Sequence, residues 1–219
     1  NMGVPLTDEP ALLARAIKLV QSLTDLPICI DSSVIEALDA GLAVYEGKAL
    51  VNSMTGEDDR MDLILPLVKK YDAAILALPN DEIEIPMLAK DRMVIVEKIV
   101  RRVEKEGISL ENLLIDPLAM PVGADPENVK NTLETIYLIK EKYGLNMSIG
   151  ASNVSFGLPN RHALNAAFMP MAMSMGLTSA IMDGRTPEVV QAVRAADLLL
   201  GLDQWGANWI TNFRANKEA

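Results

Sequence analysis

Six short apolar runs separated by longer amphipathic stretches set the architecture of this chain. Pro27 to Ile30, Ala49 to Val51, Ala73 to Leu78, Leu113 to Ile115, Met147 to Ile149 and Ser179 to Met182 each have strand length. The stretches between them place apolar residues at helical intervals: Leu12, Leu13, Ala16, Ile17 and Val20 within Pro10 to Leu23, then Ile95, Ile99 and Val103 within Met87 to Glu106. Asn128 to Tyr143 repeats the pattern with Leu133, Ile136 and Tyr137. Strands alternating with helices of this length form parallel sheets with crossover connections. The strand starts fall about 22, 24, 40, 34 and 32 residues apart, close to the repeat of a (β/α)8 TIM barrel. The expected fold is therefore an α/β barrel with six of its eight βα units visible, organised as a single domain over residues 1–219.

Composition removes several function classes. The formal charge is -10, whereas a nucleic-acid surface needs a clustered basic stripe. The densest basic points, Lys69-Lys70 and Arg101-Arg102, lie in helical stretches rich in acids and read as solvated faces. One cysteine, Cys29, and one histidine, His162, give too few soft ligands for a Cys- or His-based metal site, and no tightly bound metal is expected. No apolar run approaches the roughly 20 residues that span a bilayer. No membrane contact is expected, and a cytoplasmic location is the default.

The strand ends carry the candidate chemistry. Asp31 follows Ile30, Asn52 follows Val51, Asp116 follows Ile115 and Asp183 follows Met182. In a parallel barrel all strand C-termini open on one face, so these groups converge from distant parts of the chain. Each also has a local reading: Asp31-Ser32-Ser33 can cap the helix starting near Val34, and Asp116-Pro117 can simply open a turn. The segment Gly150-Ala151-Ser152-Asn153-Val154-Ser155-Phe156-Gly157 is harder to treat as a cap. Its glycines and serines let a backbone approach a ligand, and Asn153 is a neutral group able to donate and to accept.

Taken together, Asn1-Met2-Gly3, Ile30-Asp31-Ser32, Val51-Asn52-Ser53, Ile115-Asp116-Pro117 and Gly150 to Gly157 resemble the pterin-binding barrels, specifically the methyltetrahydrofolate:corrinoid protein methyltransferases. The resemblance runs over essentially the whole chain. It implies transfer of a methyl group between N5 of 5-methyltetrahydrofolate or tetrahydrofolate, bound as substrate, and the cobalt of a corrinoid (cobalamin) carried by a partner protein. It further implies that Asp31, Asn52 and Asp116 hold the pterin, that Gly150 and Ser152 keep the strand end open, and that Arg161 lines the folate site. Asn153 is implied as the group that stabilises charge at N5 without titrating itself. No nucleophilic side chain is needed, in keeping with a chain that has no Ser-His-Asp set.

Within the resemblance, Asn1-Met2-Gly3 corresponds to the end of the second barrel strand. This implies a parent chain longer by roughly 45 residues, at about 30 residues per βα unit. The family also implies a homodimer. The apolar Leu198-Leu199-Leu200, with Trp205 and Trp209, is expected to cover the last strand and helix, and Met169, Met171, Met173 and Met175 to supply adaptable core. Cys29 alternates onto the strand face of Asp31 and is expected as a packed thiol; His162 is expected on the surface at a helix start. Two related enzymes compete with this reading. Dihydropteroate synthases share the barrel but carry basic residues where this chain has Asn153 and Met182-Asp183-Gly184, and the folate domain of methionine synthase belongs to a much longer chain. A non-catalytic pterin-binding barrel is a third alternative.

Overall fold

The computed structural model describes residues 1–3, 7–83 and 85–215. After helix α1 (Glu9–Gln21), five strand-helix units follow. These are β1 (Cys29–Asp31) and α2 (Ile35–Val44), β2 (Leu50–Thr55) and α3 (Asp58–Lys70), β3 (Ala74–Leu78) and α4 (Ala89–Lys105), β4 (Leu113–Ile115) and α5 (Asn128–Tyr143), and β5 (Asn146–Gly150) and α6 (Arg161–Met175). Strand β6 (Ser179–Ile181), α7 (Pro187–Leu199) and α8 (Ala207–Ala215) complete the order. A short 3-10 helix, Ala151–Ser155, links β5 to α6. All six expected strands form, and they lie in sequence order β1-β2-β3-β4-β5-β6 with every pair parallel. Among the described residues β1 pairs only with β2 and β6 only with β5, so the sheet is open, and eight βα units are not present in it. No helix of the described residues is long and apolar enough to cross a membrane.

Local rules account for most element ends. The Asp8 carboxylate accepts from the Ala11 N–H at 3.1 Å and caps α1, with a proline in the first turn. Gly144 ends α5 in the left-handed conformation, at the residue expected from the sequence. The helices pack along the outer face of the sheet. At Gly41 on α2, an added Cβ would lie 2.9 Å from Ile17 and 3.4 Å from Ile30, so glycine is what lets α1 and β1 close on α2. Ile30, Val51, Ile75, Leu113, Ile115, Met147 and Ile149 fill the core from the strands. The basic pairs sit on solvated faces as expected, with Lys70 bound to Asp39 at 2.9 Å and Arg101 bound to Glu97.

Four expectations need correction. Asn1 to Gly3 form no strand; the Gly3 N–H donates to the side chain of Asn1 instead. Cys29 is exposed, on a strand that among the described residues pairs with β2 alone. Its thiol is nevertheless pushed up to about 11, first by desolvation against the sheet and then by the Asp31 carboxylate. Of the methionines on α6, Met169 and Met173 face the core one helical turn apart, while Met171 and Met175 are exposed. The C-terminal apolar residues do only part of the expected covering: Trp205 is 97% exposed, with Leu199 and Leu200 also exposed, while Leu198 and Trp209 are half-buried and Trp209 lies beside α7.

Candidate pterin site at the strand ends

The register places the expected residues on one rim. Asp31 is directly opposite Asn52 across β1 and β2. Asn52 is level with Leu76 and Leu76 with Leu114, so Asp116 stands two residues further toward the C-terminal rim. The peptide bond from Asn52 to Ser53 is cis, and the β2 register shifts at this point. Asp31 and Asn52 are half-buried, and among the described residues neither side chain makes a hydrogen bond. Ser32, next to Asp31, is the residue that serves the backbone. Its hydroxyl donates to Glu9 at 2.5 Å and accepts from the Val34 N–H at 3.0 Å, a turn just ahead of α2; the N-cap itself, Val34, receives no side-chain cap, so the capping role open to the Asp31-Ser32-Ser33 segment is not taken up.

Asp116 occupies the most desolvated position of the set. Its carboxylate accepts from the Leu118 N–H at 2.8 Å and from the backbone of Gly150, and Arg92 lies close enough to act on it. Burial outweighs these stabilising contacts and lifts its pKa to about 6. Gly150 in turn touches Asn153: a Cβ added at Gly150 would fall 3.0 Å from the Asn153 amide nitrogen. Asp116, Gly150 and Asn153 thus form one contiguous group across β4 and β5. Asn153 itself is exposed within its 3-10 turn, and among the described residues its side chain makes no hydrogen bond.

Arg161 holds that turn. Its Nη2 donates to the Ser152 carbonyl at 2.7 Å and its Nε to the Ser155 hydroxyl at 3.1 Å, with the guanidinium 5.9 Å from the Phe156 ring. Arg161 and Ser152 also line a cavity of about 570 Å³ beyond the ends of β5 and β6, between the 3-10 turn and the starts of α6 and α7, together with Asn165, Met182 and Asp183. His162 borders the same cavity while exposed to solvent. Asp183 reaches the rim as expected but is already committed. Arg185 binds it through its backbone N–H at 3.0 Å and through Nε and Nη2 at 2.9 Å, which holds the carboxyl down at about 2.

Two side chains in this region escaped the sequence reading. Arg92 is fully buried and donates to the carbonyls of Pro86, Pro117 and Leu118. Asn165 has a buried side-chain oxygen at the cavity wall without a hydrogen-bond partner among the described residues. The signal for Arg92 was available: it falls in phase with Ile95, Val96 and Ile99, on a helical stripe that is otherwise apolar. Among the described residues no cluster of three or more His, Cys, Asp or Glu side chains is arranged to hold a metal ion.

Comparison with known proteins decides the family. The model of the family described as "Pterin binding enzyme" matches residues 2–183. A methylcorrinoid:tetrahydrofolate methyltransferase of Eubacterium limosum is 32% identical over 202 residues, covering 91% of this chain and 74% of that protein. The chain belongs to the pterin-binding enzymes, in the family of the corrinoid-dependent folate methyltransferases. It is thus a member of a transferase family. The methionine synthase of Mycobacterium tuberculosis is 32% identical over 181 residues, and the chain spans 15% of its length. Among solved structures, the 7,8-dihydropteroate synthase of Vibrio fischeri superposes with a TM-score of 0.71 at 15% identity, covering 93% of this chain and 77% of that one. The dihydropteroate synthase of Coxiella burnetii gives 0.66 at 18% identity, with 92% and 78% covered. At these identities the structural likeness establishes a shared fold.

Proposed function

We propose that this pterin-binding enzyme transfers a methyl group between N5 of tetrahydrofolate and the cobalt of a corrinoid carried by a partner protein, on a (β/α)8 barrel scaffold. The observation that carries the reading is the pairing of a buried carboxylate, Asp116, with an exposed and uncommitted amide, Asn153, joined through Gly150. A reduced pterin offers adjacent N–H and amino donors along its pyrimidine edge, and a carboxylate accepts both through charge-assisted bonds. Asp116 and Asp31 take those donors, and Asn52 donates and accepts along the ring. Gly150 and Ser152 leave room for the heterocycle, and Arg161 borders the folate while fixing the turn that carries Asn153.

The partner's corrinoid supplies the cobalt that gives up or takes on the methyl group. In either direction N5 passes through a charged, protonated amine. The Asn153 oxygen accepts from that N–H as charge develops, and a hydrogen bond that strengthens in the transition state lowers the barrier. The name of the Eubacterium limosum relative favours tetrahydrofolate as the methyl acceptor. A homodimer is the assembly we propose, and size-exclusion chromatography with light scattering checks it.

The activity test runs in both directions: methylcobalamin with tetrahydrofolate, and 5-methyltetrahydrofolate with cob(I)alamin, read from the corrinoid spectrum. Transfer in either supports the reading. Failure with both free corrinoid and a protein-bound corrinoid sinks it. Condensation of p-aminobenzoate with a hydroxymethylpterin pyrophosphate would establish the synthase alternative instead, and tight folate binding without either reaction would leave a non-catalytic pterin-binding barrel.

A further inference from the structure

Arg92 is costly where it stands. It lies in the first turn of α4, where the helix dipole disfavours a cation, and none of its surface reaches solvent. Among the described residues it forms no ion pair. Its bonds run to three carbonyls: Nε to Pro86 at 2.9 Å, and Nη1 to Pro117 at 2.8 Å and to Leu118 at 2.9 Å. Among the described residues the buried Nη2 has no hydrogen-bond partner. Desolvation pulls its pKa down to about 10, while the nearby Asp116 acts in the opposite sense. A core position would be served more favourably by an aliphatic side chain of similar size.

The contacts explain what the position does. Leu118 adopts a φ of 62°, a left-handed conformation that a leucine reaches only under strain. Its carbonyl is held by the Arg92 guanidinium and by the Thr132 hydroxyl at 2.9 Å, and its N–H is bound by the Asp116 carboxylate at 2.8 Å. Relaxing Leu118 therefore releases the one side-chain bond that orients Asp116 from its own loop. We infer that Arg92 is a positioning residue for pterin binding, acting through the strained Leu118 to fix the Asp116 carboxylate in the direction of the ligand. This rests on the proposal that Asp116 binds the pterin.

The test uses tetrahydrofolate as the probe, with its Kd from titration calorimetry and the melting temperature of each variant. Arg92→Met should raise the Kd by about 10- to 100-fold, and Thr132→Val, which removes the second donor to Leu118, by about 3- to 10-fold. Adding Leu118→Gly to Arg92→Met should restore part of the affinity, because glycine adopts the same φ without strain. In an Asp116→Asn background, Arg92→Met should change the Kd less than about 3-fold, since the charged carboxylate that it aims at the ligand is gone. A Kd within about twofold of wild type in Arg92→Met overturns the inference, as does an equal loss in the Asp116→Asn background. If Arg92→Met does not fold, Thr132→Val is judged by the same two criteria. Wild-type affinity in Asp116→Asn alone would instead locate the failure in the pterin-binding reading of Asp116, and would remove the inference with it.

Discussion

Replacing Asp116 by asparagine should stabilise the protein while weakening its grip on folate, and the size of both effects follows from the burial of the carboxyl. In the fold the Asp116 pKa stands at about 6, against an ordinary 3.8, with desolvation as the main cause. A group whose pKa is raised on folding stabilises the native state below its unfolded value and loses that contribution as pH rises through the folded one. Asp116 therefore favours folding below about pH 4 and opposes it above about pH 6, by about 3 kcal/mol at pH 7 to 8. Asparagine removes that penalty. It keeps one acceptor oxygen for the Leu118 N–H and loses the second, facing Gly150, at about 1 kcal/mol. The net gain is about 2 kcal/mol at pH 7.5, or about 4–8 °C in Tm for a chain of this size. Tetrahydrofolate affinity should fall by about 10- to 100-fold, because the charge-assisted bonds to the pterin edge are lost. Thermal melts of both proteins from pH 4 to pH 8, with calorimetric titrations at pH 7.5, measure the two effects. A melting temperature at pH 7.5 equal to or below wild type would refute the reasoning, as would a gain that persists undiminished at pH 4.

Three further outcomes follow from the same geometry. Asn153→Ala should lower methyl transfer by about 10- to 1,000-fold with little change in Tm, since the side chain is exposed and makes no hydrogen bond among the described residues; an unchanged rate at saturating folate would remove it from its role. Gly150→Ala should slow turnover by about 3- to 10-fold, because the new methyl group meets the Asn153 amide 3.0 Å away, while folate affinity stays close to wild type. Cys29 should alkylate with iodoacetamide on the order of 100-fold more slowly at pH 7.5 than a free cysteine, with the rate still climbing at pH 10, because its thiol is held up to about 11; ordinary reactivity at neutral pH would contradict the raised pKa of the thiol.

The inner strands β3, β4 and β5 were legible because each is a short, largely buried run, and burial on a parallel sheet leaves a continuous apolar signature; the more exposed edge strands β1 and β6 were legible from their spacing. The α5 helix was legible to the residue, since its apolar stripe ends at a glycine. Placing the polar residues at the strand ends required only the rule that parallel strands share a C-terminal face. Harder to read was whether a face is covered. Alternation correctly set Cys29 beside Asp31, but whether the inner face above an edge strand is packed depends on neighbours outside the local pattern. The same holds for Trp205, whose size argued for burial and whose surroundings leave it in solvent. Commitment was equally hidden. Asp183 looked equivalent to Asp116 as a carboxylate after a strand, yet the arginine two residues on takes up its oxygens. Composition says what a side chain can bind; only the fold says whether it has already done so.

That distinction bears on how the proposed chemistry is divided. A methyl group passing to or from a corrinoid on another protein has to leave the pterin site, so N5 must sit near the rim while the pyrimidine edge can be held deeper. The residues follow this gradient: Asp116 is deep enough to have its pKa raised to about 6, while Asn153 is exposed, one glycine contact away. Depth suits recognition, because a desolvated carboxylate left without donors is penalised and so rejects ligands that cannot supply them. Exposure would undermine a charged catalytic group, whose field water screens and whose protonation follows the solvent. A neutral amide escapes both problems, since it holds the same hydrogen-bonding capacity over the whole physiological pH range. On this argument the pH dependence of the enzyme should reside in folate binding, through Asp116, and not in the transfer step. Single-turnover rates at saturating folate should stay flat between pH 6 and 8, while the Kd rises as pH falls through about 6. A transfer rate that titrates in that range with the site kept saturated would mean that a group other than the amide controls charge at N5.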